Sequence, residues 1–309
     1  MHLAGECGLS VAHLVEPQRR ALEDERTKHS NAQRAAQDTG NAGRLVIAHA
    51  ALRETEASIA ALDLCEAIVM SPHKRRAPAP AESLVITGSD DPLLARLAQL
   101  AHTSTHPVGS IGGLIALSQH HADIAGAHLL DTETGEYNIP FVKHLMPEED
   151  VVLVNLAIRE NGLIVARGNP KNIRGVRDLT RADVRLINRA RGTGTRRLRY
   201  SKLRAARIDS HNIPGWERVV ATHDAIAAAI ATGAADVGPG LRASAVAWNL
   251  DFIPLGDERY DLVIPRAEME SQRLEPILTA LHSADFRKTA ATLAGYDLAR
   301  CGKIIARVK

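Results

Sequence analysis

The stretch Ser83–Pro92, SLVITGSDDP, joins a short apolar run to a small polar loop. Leu84–Ile86 has the composition of a buried strand, and the residues after Pro92 have the apolar spacing of a helix over Leu93–Ala101. The stretch therefore predicts a strand, a loop of Gly, Ser and Asp, and then a helix.

The same order of strand, loop and helix recurs along the chain. Val108 leads into Gly109–Gly113 and a predicted helix over Leu114–His120, and a strand over Val184–Ile187 precedes the run Asn188–Arg197, NRARGTGTRR. The other predicted elements are strands at Ile124–Leu129 (with His128 at its end), Val151–Ala157, Leu163–Ala166, Val219–Ala221, Ala235–Val237, Phe252–Leu255 and Leu262–Ile264, and a helix over Asp224–Thr232. This alternation indicates an α/β fold with mostly parallel sheets.

Composition excludes several classes of protein. The 309 residues carry a net charge of +2, so a diffuse nucleic-acid-binding surface is not expected and any DNA contact must come from a local patch. Aromatic residues make up 3%, which argues against a sugar pocket or a base-stacking platform. Three scattered cysteines, Cys7, Cys65 and Cys301, suit a reducing compartment and show no metal-ligand spacing. With no signal peptide or membrane-length apolar run, a cytoplasmic protein is expected.

The N-terminal third has a different character. The run Met70–Ala81, MSPHKRRAPAPA, predicts an exposed linker over residues 71–82, between a helical segment 1–70 and an α/β unit 83–309. Leu45–Val69 predicts one long helix, which either mediates a homodimer, the favoured interpretation, or docks on its own domain. Gly8–Ser10 has the pattern of a helix-turn-helix turn, with Ser10 capping a helix that Pro17 is expected to end.

Three loops share a chemistry that suits an anion. Gly lets a backbone approach closely, Ser and Thr add hydroxyl donors, and a helix N-terminus contributes free N–H groups. Ligands in such folds bind beyond the carboxyl ends of strands. The candidate residues are Ser89, Asp90, Ser110, His128, Arg191, Gly192, Thr193, Gly194 and Thr195. The alternatives are plain helix caps for the loops and a core position for His128. Tyr137, in the acidic loop after Asp131, either closes over the ligand or belongs to an ordinary surface loop.

Motifs of several enzyme classes are absent from the sequence. It contains no GxxxxGK[ST], no GxGxxG and no GxSxG run, which argues against nucleotide-dependent and α/β-hydrolase chemistry. No catalytic residue, metal site or cofactor is therefore predicted, and an enzyme is not expected.

Long runs of the sequence resemble a known family. They are GSDDPLL, GSIGGLIAL, ADIAGAHLLDTETGEYNIPFV, VVLVNLAIRENGLIVARGNPKNIRGVRDL, INRARGTGTR, ATHDAIAAAIATGAADVGPGLRA and LDFIPLGDERYDLVIP. Together they are similar to the periplasmic-binding-protein-like domain of bacterial and archaeal regulators and of some molybdopterin-biosynthesis proteins.

The resemblance implies a type II binding-protein fold, with two α/β lobes, two crossover strands and a ligand in the cleft. Lobe 1 would comprise about 83–166 and 256–309, and lobe 2 about 167–255. The crossovers would lie in Asn155–Val165 and Asp257–Ile264. Carried over by motif, the cleft would contain Ser89, Ser110, His128, Gly192–Thr195 and also His223. The implied ligand is a small oxyanion such as molybdate or tungstate, or a molybdopterin-related molecule, held without a metal.

The N-terminal segment is similar to the DNA-binding part of molybdate-responsive, LysR-like regulators. GLSVAH matches the turn of their winged helix, and TGNAGRLVIAHAALRETEASIAAL matches the wing end and the dimer helix. Pro17 and the polar run Gln18–Gln37 depart from the pattern, so the winged helix is divergent or truncated. The leading hypothesis is a ligand-sensing transcriptional regulator; the alternatives are the solute-binding protein of an anion transporter and an accessory protein of molybdenum-cofactor biosynthesis.

Overall fold

A computed structural model describes residues 11–38, 48, 52, 84–131, 133–189, 195, 202–220 and 222–309 of the chain. Its helices are α1 (Val11–Asp38), α2 (Pro92–Leu100), α3 (Gly109–Ser118), α4 (Ile139–Leu145), α5 (His223–Ala231), α6 (Arg242–Ala247), α7 (Arg266–Met269), α8 (Glu275–His282) and α9 (Ala284–Thr292). Its strands are β1 (Val85–Gly88), β2 (Ser104–Pro107), β3 (Ile124–Ala127), β4 (Val151–Val165), β5 (Asn188–Arg189), β6 (Val219–Val220), β7 (Val237–Leu241), β8 (Asp251–Pro265), β9 (Tyr296–Asp297) and β10 (Ile304–Val308). Short 3₁₀ helices occupy Val176–Thr180, Ser210–Asn212 and Gln272–Leu274.

Two long strands connect two α/β lobes. β4 and β8 each have 15 residues and pair antiparallel along their whole length, from Val151 opposite Pro265 to Val165 opposite Asp251. Lobe 1 contains the first part of β4 and the last part of β8, in a sheet of order β10–β4–β8–β3–β1–β2. In lobe 2 the last part of β4 pairs with β7, and a bridge from Leu186 to Val237 leads to the β5–β6 pair. The predicted two-lobed α/β fold is confirmed.

The expectation of mostly parallel sheets is wrong. β1 pairs parallel with β2 and β3, and β5 pairs parallel with β6, but all the pairings of β4 and β8 are antiparallel. The apolar runs predicted as separate strands are parts of these two crossovers, because the polar residues between the runs continue the strand instead of turning it. The strand predicted at Val184–Ile187 forms only the Leu186 bridge, and regular pairing starts at Asn188.

β4 contributes to four hydrophobic cores. Alternate side chains of a strand point to opposite faces. Val152 and Val154 pack in the core under α2, α8 and α9, whereas Val151 and Leu153 pack in the core under α3 and α4. In lobe 2, Leu163 and Ile164 likewise enter different cores. A strand buried on both faces has a nearly continuous apolar sequence, and the polar residues Asn155, Arg159 and Asn161 of β4 lie in the interior of the molecule.

Glycines bring α3 close to the sheet. A Cβ at Gly88 would lie 2.2 Å from the carbonyl oxygen of Gly126, and one at Gly113 would lie 2.5 Å from the Cα of Gly88. The helix predicted to begin at Leu114 begins at Gly109 instead. The glycines that indicated a loop are the first turns of a helix packed directly against β1, which places Ser110 at the edge of the sheet.

The prediction that Pro17 ends its helix is wrong, because α1 continues from Val11 to Asp38. A proline inside a helix costs about 3 kcal/mol, and the following residues are rich in the strong helix formers Ala, Arg, Gln and Glu. α1 contacts β6 of lobe 2. Gly8–Ser10 and the linker 71–82 lie outside the described residues. Of the predicted helix Leu45–Val69 only Ala48 and Leu52 are described, and both are helical.

Within the described residues, no helix has the length and apolar content needed to cross a membrane. Cys301 is a free, half-buried thiol, and burial raises its pKa to about 11.

Candidate functional site

Ser89 is the first residue after β1 and lies where the two lobes meet. Its backbone N–H donates to Gly126 O at 3.1 Å, and its carbonyl oxygen accepts from the Tyr260 hydroxyl at 2.8 Å. Its side-chain oxygen lies 2.7 Å from His128 Nε2. The backbone N–H and carbonyl groups of Ser89 are thus both held by hydrogen bonds, and the direction of its hydroxyl depends on His128.

His128 connects Ser89 to a carboxylate. Its Nδ1 lies 3.1 Å from Oε2 of Glu258, and its ring stacks on Tyr260 with centroids 5.5 Å apart. Burial and the nearby Arg159 lower the pKa of His128, whereas Glu258 raises it; the net shift is downward. A neutral ring beside a carboxylate carries its proton on Nδ1, so Nε2 accepts the hydrogen bond from the Ser89 hydroxyl.

Arg159 binds lobe 1 to the hinge, which is the middle of the β4–β8 pair around Arg159 and Glu258. It lies directly opposite Glu258 in the β4–β8 ladder, and its guanidinium binds both Glu258 and Asp91, the residue that caps α2. Tyr296 donates to the same Asp91 carboxylate at 2.6 Å. Burial alone would raise the pKa of Glu258, but Arg159 and His128 lower it to about 2. Glu258 is therefore ionised at neutral pH. Arg159 compensates the charges of both carboxylates, Asp91 and Glu258.

Asn161 continues the network into lobe 2. Its Nδ2 donates to Glu258 Oε2 at 3.1 Å and to Thr195 Oγ1 at 3.2 Å. Thr195 is helical and fully buried. Since its oxygen accepts from Asn161, the hydroxyl hydrogen is the group that Thr195 can offer to a ligand.

Ser110 lies in the first turn of α3, which has no side-chain cap. It is fully buried, and its oxygen accepts from the backbone N–H of His128 at 3.3 Å. The hydroxyl hydrogen and the first N–H groups of the helix remain as donors. This combination favours an anion at that helix end.

His223 begins α5 on the other side of the cleft. It is 3% exposed, and neither ring nitrogen has a hydrogen-bond partner among the described residues. Burial, followed by the charges of Arg189 and Arg159, holds its pKa well below the usual value. Burying a neutral imidazole without hydrogen-bond partners carries a desolvation cost, and a ligand that contacts the ring would remove it.

Asp90 reaches across the cleft. Its carboxylate accepts from the backbone N–H of His223 and faces Arg189 of β5. Burial raises its pKa, with Arg189 acting in the opposite direction. Arg189 also faces Glu25 of α1, so the N-terminal helix contributes to the electrostatics of the cleft.

Tyr137 lies at the hinge and is partly exposed. Its hydroxyl donates to the carbonyl of Asp257 at 3.1 Å, and the Arg259 guanidinium lies 5.9 Å from the centre of its ring. Burial raises its pKa. Its hydroxyl is held by β8 and not by the cleft loops.

The cleft thus contains most of the candidate residues from the sequence. Six of them converge between the lobes: Ser89, Asp90, Ser110, His128, Thr195 and His223. Arg191, Gly192, Thr193 and Gly194 lie outside the described residues. Sequence reasoning missed Arg159, Asn161, Arg189 and Glu258. A signal existed for two of them, because Arg159 and Asn161 are among the four polar residues that interrupt the mainly apolar run of β4.

Ser89, His128 and Glu258 follow the order of a hydrolytic triad. Here the carboxylate also neutralises Arg159, and burial, with Arg159 acting in the same direction, lowers the pKa of the histidine, which makes it a weaker base. No group of three or more His, Cys, Asp and Glu side chains in the described part of the chain could hold a metal ion. The arrangement is suited to holding a polar ligand in a fixed orientation.

Comparison with known proteins agrees with this geometry. The family model of the PBP superfamily domain matches residues 93–282. The chain belongs to the PBP superfamily. An uncharacterized protein of Bacillus subtilis, YvgK, is 40% identical over 197 residues, which cover 64% of this chain and 63% of YvgK. A protein encoded in the 5′ region of a 2Fe-2S ferredoxin gene of Clostridium pasteurianum is 36% identical over 104 residues, 92% of its length and 33% of this chain.

Solved structures of this superfamily share the fold. A phosphate ABC transporter substrate-binding protein from Clostridium perfringens gives a TM-score of 0.52 at 13% identity, covering 74% of this chain and all of that one. The tungstate ABC transporter protein of Geobacter sulfurreducens gives 0.50 at 12% identity, covering 70% and 99%. The two lobes on either side of the cleft therefore have the same fold as these two solved structures.

Proposed function

We propose that the chain is a ligand-sensing regulator that binds a small oxyanion in the interlobe cleft and alters DNA binding in response. One observation carries the ligand part: two fully buried hydroxyls from opposite lobes, Ser110 at the uncapped N-terminus of α3 and Thr195, hydrogen-bond into the same buried network around His128 and Glu258. The buried ring of His223, which has no hydrogen-bond partner among the described residues, lies near His128. Hydroxyl and N–H donors of this kind hold tetrahedral oxyanions without a metal.

The relatives support an oxyanion in particular. Of the two solved structures compared above, one is described as a putative phosphate ABC transporter substrate-binding protein with bound phosphate and the other as a tungstate ABC transporter. The guanidinium of Arg189 in the same cleft adds a positive charge, which suits phosphate or carboxylate groups equally well. Molybdate and tungstate remain the first ligands to test, with a molybdopterin-related molecule as the larger alternative.

The regulatory part of the proposal rests on the N-terminal segment. α1 packs on β6 and its Glu25 faces Arg189, so a ligand that binds Arg189 would change what holds α1 against lobe 2. Such coupling requires unequal ligand affinity for two conformations. DNA binding, a homodimer and a cytoplasmic location belong to this proposal.

Calorimetry on the full chain tests the ligand. We expect binding of at least one of molybdate, tungstate, sulfate and phosphate, and its loss in a Ser110→Ala, Thr195→Val double variant. The matched control is Ser118→Ala with Thr232→Ala, because these hydroxyls are at the C-terminal ends of α3 and α5 and only bind local backbone carbonyls. Equal affinity in both double variants would refute the assignment of the site.

Gel-shift titration at low salt, with and without the oxyanion that binds, tests the regulatory role. DNA affinity that changes with the oxyanion supports a sensor. The second candidate is the solute-binding protein of an anion transporter, which the two structural neighbours favour. Tight oxyanion binding together with no DNA binding would favour that role.

We also propose that the cleft binds its ligand without converting it. Ser89 is 2% exposed and Arg159 weakens His128 as a base, so Ser89 should not react with a fluorophosphonate probe. Stoichiometric labelling of Ser89 would instead establish a nucleophile and overturn this part of the proposal.

A further inference from the structure

The hydroxyl of Ser89 points away from the cleft. Arg159 keeps Glu258 ionised, so the Glu258 carboxylate accepts a hydrogen bond from the protonated Nδ1 of His128. The unprotonated Nε2 of His128 then accepts a hydrogen bond from the Ser89 hydroxyl. In this arrangement Ser89 presents only lone pairs to whatever occupies the cleft. The residue that looks like a ligand donor in the sequence is an acceptor in the structure.

An ionised oxyanion needs donors only. The oxygens of tungstate or molybdate have no hydrogen, so the lone pairs of Ser89 and the carboxylate of Asp90 would both repel them. Two guanidiniums of the described residues face the cleft and its surroundings: Arg159 binds Asp91 and Glu258, and Arg189 faces Asp90 and Glu25. Each of these two guanidiniums is therefore already matched by carboxylates and leaves no excess of positive charge for a dianion.

We propose that the cleft binds an ionised oxyanion together with one proton, which is taken from solvent by Nε2 of His128. His128 then donates through both nitrogens, to Glu258 and to Ser89, and the Ser89 hydroxyl turns to donate to the ligand. An N–H bond forms at Nε2 and an O–H bond of the hydronium ion or buffer acid breaks, and no bond between two heavy atoms forms or breaks. The inference rests on the proposed function, because it concerns the same site and the same class of ligand.

The surroundings of His128 suit this exchange of a proton. Glu258 on β8 stabilises an imidazolium directly, and Asp91 at the start of α2 adds negative charge. Burial and Arg159 on β4 oppose it, Tyr260 stacks against the ring, and His223 on α5 lies near it with a pKa held well below the usual value. The added charge of the bound dianion shifts this balance toward the protonated form. His128 acts through Ser89 and is a positioning residue.

A ligand with its own proton does not need this step. Hydrogen phosphate can donate its hydroxyl to the Ser89 oxygen while Ser89 still donates to His128. The site therefore takes oxyanions that arrive with one proton, carried either by the ligand or by His128. The number of protons taken up on binding therefore distinguishes tungstate from hydrogen phosphate, independently of their affinities.

Proton uptake is measured by calorimetry of the full chain in buffers of different ionisation enthalpy at the same pH. We expect uptake approaching one proton per tungstate bound, and none when the probe is phosphate at a pH where it is HPO₄²⁻. Tungstate affinity should fall about 10-fold per pH unit between the pH at which His128 titrates in the free protein and the higher pH at which it titrates in the complex, since one proton is taken up on binding over that range.

Two variants remove the proton acceptor in different ways. His128→Gln supplies an amide N–H to Ser89, so tungstate should bind without proton uptake and without the pH dependence. Ser89→Ala removes the hydroxyl and leaves His128 in place, so binding should weaken and uptake should also disappear. The control is His120→Gln, which changes a surface histidine that pairs with Glu149 at 3.6 Å and should retain the wild-type proton uptake.

Asp90 is the other group that could take up the proton, because its carboxyl group also faces the ligand and the start of α5. The variant Asp90→Asn tests whether it does. Uptake that persists in Asp90→Asn and disappears in His128→Gln supports the proposal; the reverse overturns it. Tungstate binding without proton uptake in the wild-type chain overturns it too, and leaves the proposed function standing. Failure of molybdate, tungstate, sulfate and phosphate to bind overturns the proposed function, and this inference with it.

Discussion

Replacing Glu258 with Gln should destabilise the protein by an amount that depends on pH. The carboxylate is buried and ionised because it binds Arg159 and His128, and its pKa falls from 4.5 to about 2. Since the folded-state pKa is depressed, the group stabilises the fold at every pH above about 4.5, and this contribution is lost as the pH falls toward about 2. A shift of this size corresponds to about 3 kcal/mol.

At neutral pH the variant leaves Arg159 with only one of its two carboxylate partners. Breaking a buried ion pair from one side costs about 3–5 kcal/mol, whereas Gln keeps an oxygen that accepts from His128. We therefore expect a difference in unfolding free energy of about 3–5 kcal/mol at neutral pH. That difference should shrink as the wild-type carboxylate is protonated between about pH 4.5 and pH 2.

Urea denaturation of both proteins at several pH values measures the difference. The control is Glu149→Gln, which alters a partly exposed carboxylate facing His120 and should cost about 0–1 kcal/mol. A difference between wild type and Glu258→Gln that stays constant from neutral to acidic pH would refute the reasoning. It would mean that Glu258 contributes through packing and not through its charge.

Three further changes test other parts of the molecule. Tyr260→Phe removes a buried hydroxyl that donates to the Ser89 carbonyl, so thermal denaturation should show a loss of about 1–2 kcal/mol, and an unchanged midpoint would contradict the importance of that bond. Thr195→Val alone should weaken oxyanion binding about 10- to 100-fold in calorimetry, the worth of one hydrogen bond to a charged group, and a smaller change would place the ligand elsewhere. Glu25→Gln should tighten oxyanion binding several-fold at low salt, because Glu25 and the ligand compete for Arg189; Glu23→Gln on the exposed side of α1 is the control, and equal affinities in the two variants would exclude the competition.

The strand, loop and helix around Ser89 could be predicted from the sequence because each signal is local. An apolar run, a glycine turn and a helical apolar stripe lie within 18 residues of one another, from Leu84 to Ala101. The start of α3 could not be predicted in this way. Whether Gly109–Gly113 forms a loop or a helix depends on Gly88 and Gly126, which require a close approach by small residues from a distant part of the chain.

The ion pair at the hinge could not be predicted from the sequence for a related reason. Arg159 and Glu258 are 99 positions apart and become neighbours only through the β4–β8 register. Each looks like an ordinary surface charge when considered alone, and only its place in a doubly buried strand identifies Arg159 as an interior residue. Sequence periodicity gives the face of an element but not the partner that compensates a charge.

The network through this hinge offers a route by which ligand binding could be communicated between the lobes. It begins with Tyr296 and Asp91 in lobe 1, crosses β4 and β8 through Arg159 and Glu258, and ends at Thr195 in lobe 2 through Asn161. Separation of the lobes would break the Asn161–Thr195 bond first, since it is the link that leaves the hinge for lobe 2. A ligand that holds Thr195 and Ser110 together therefore stabilises the same closed arrangement as Asn161, and the two effects should be non-additive in a double-mutant cycle of Asn161→Ala with Thr195→Val.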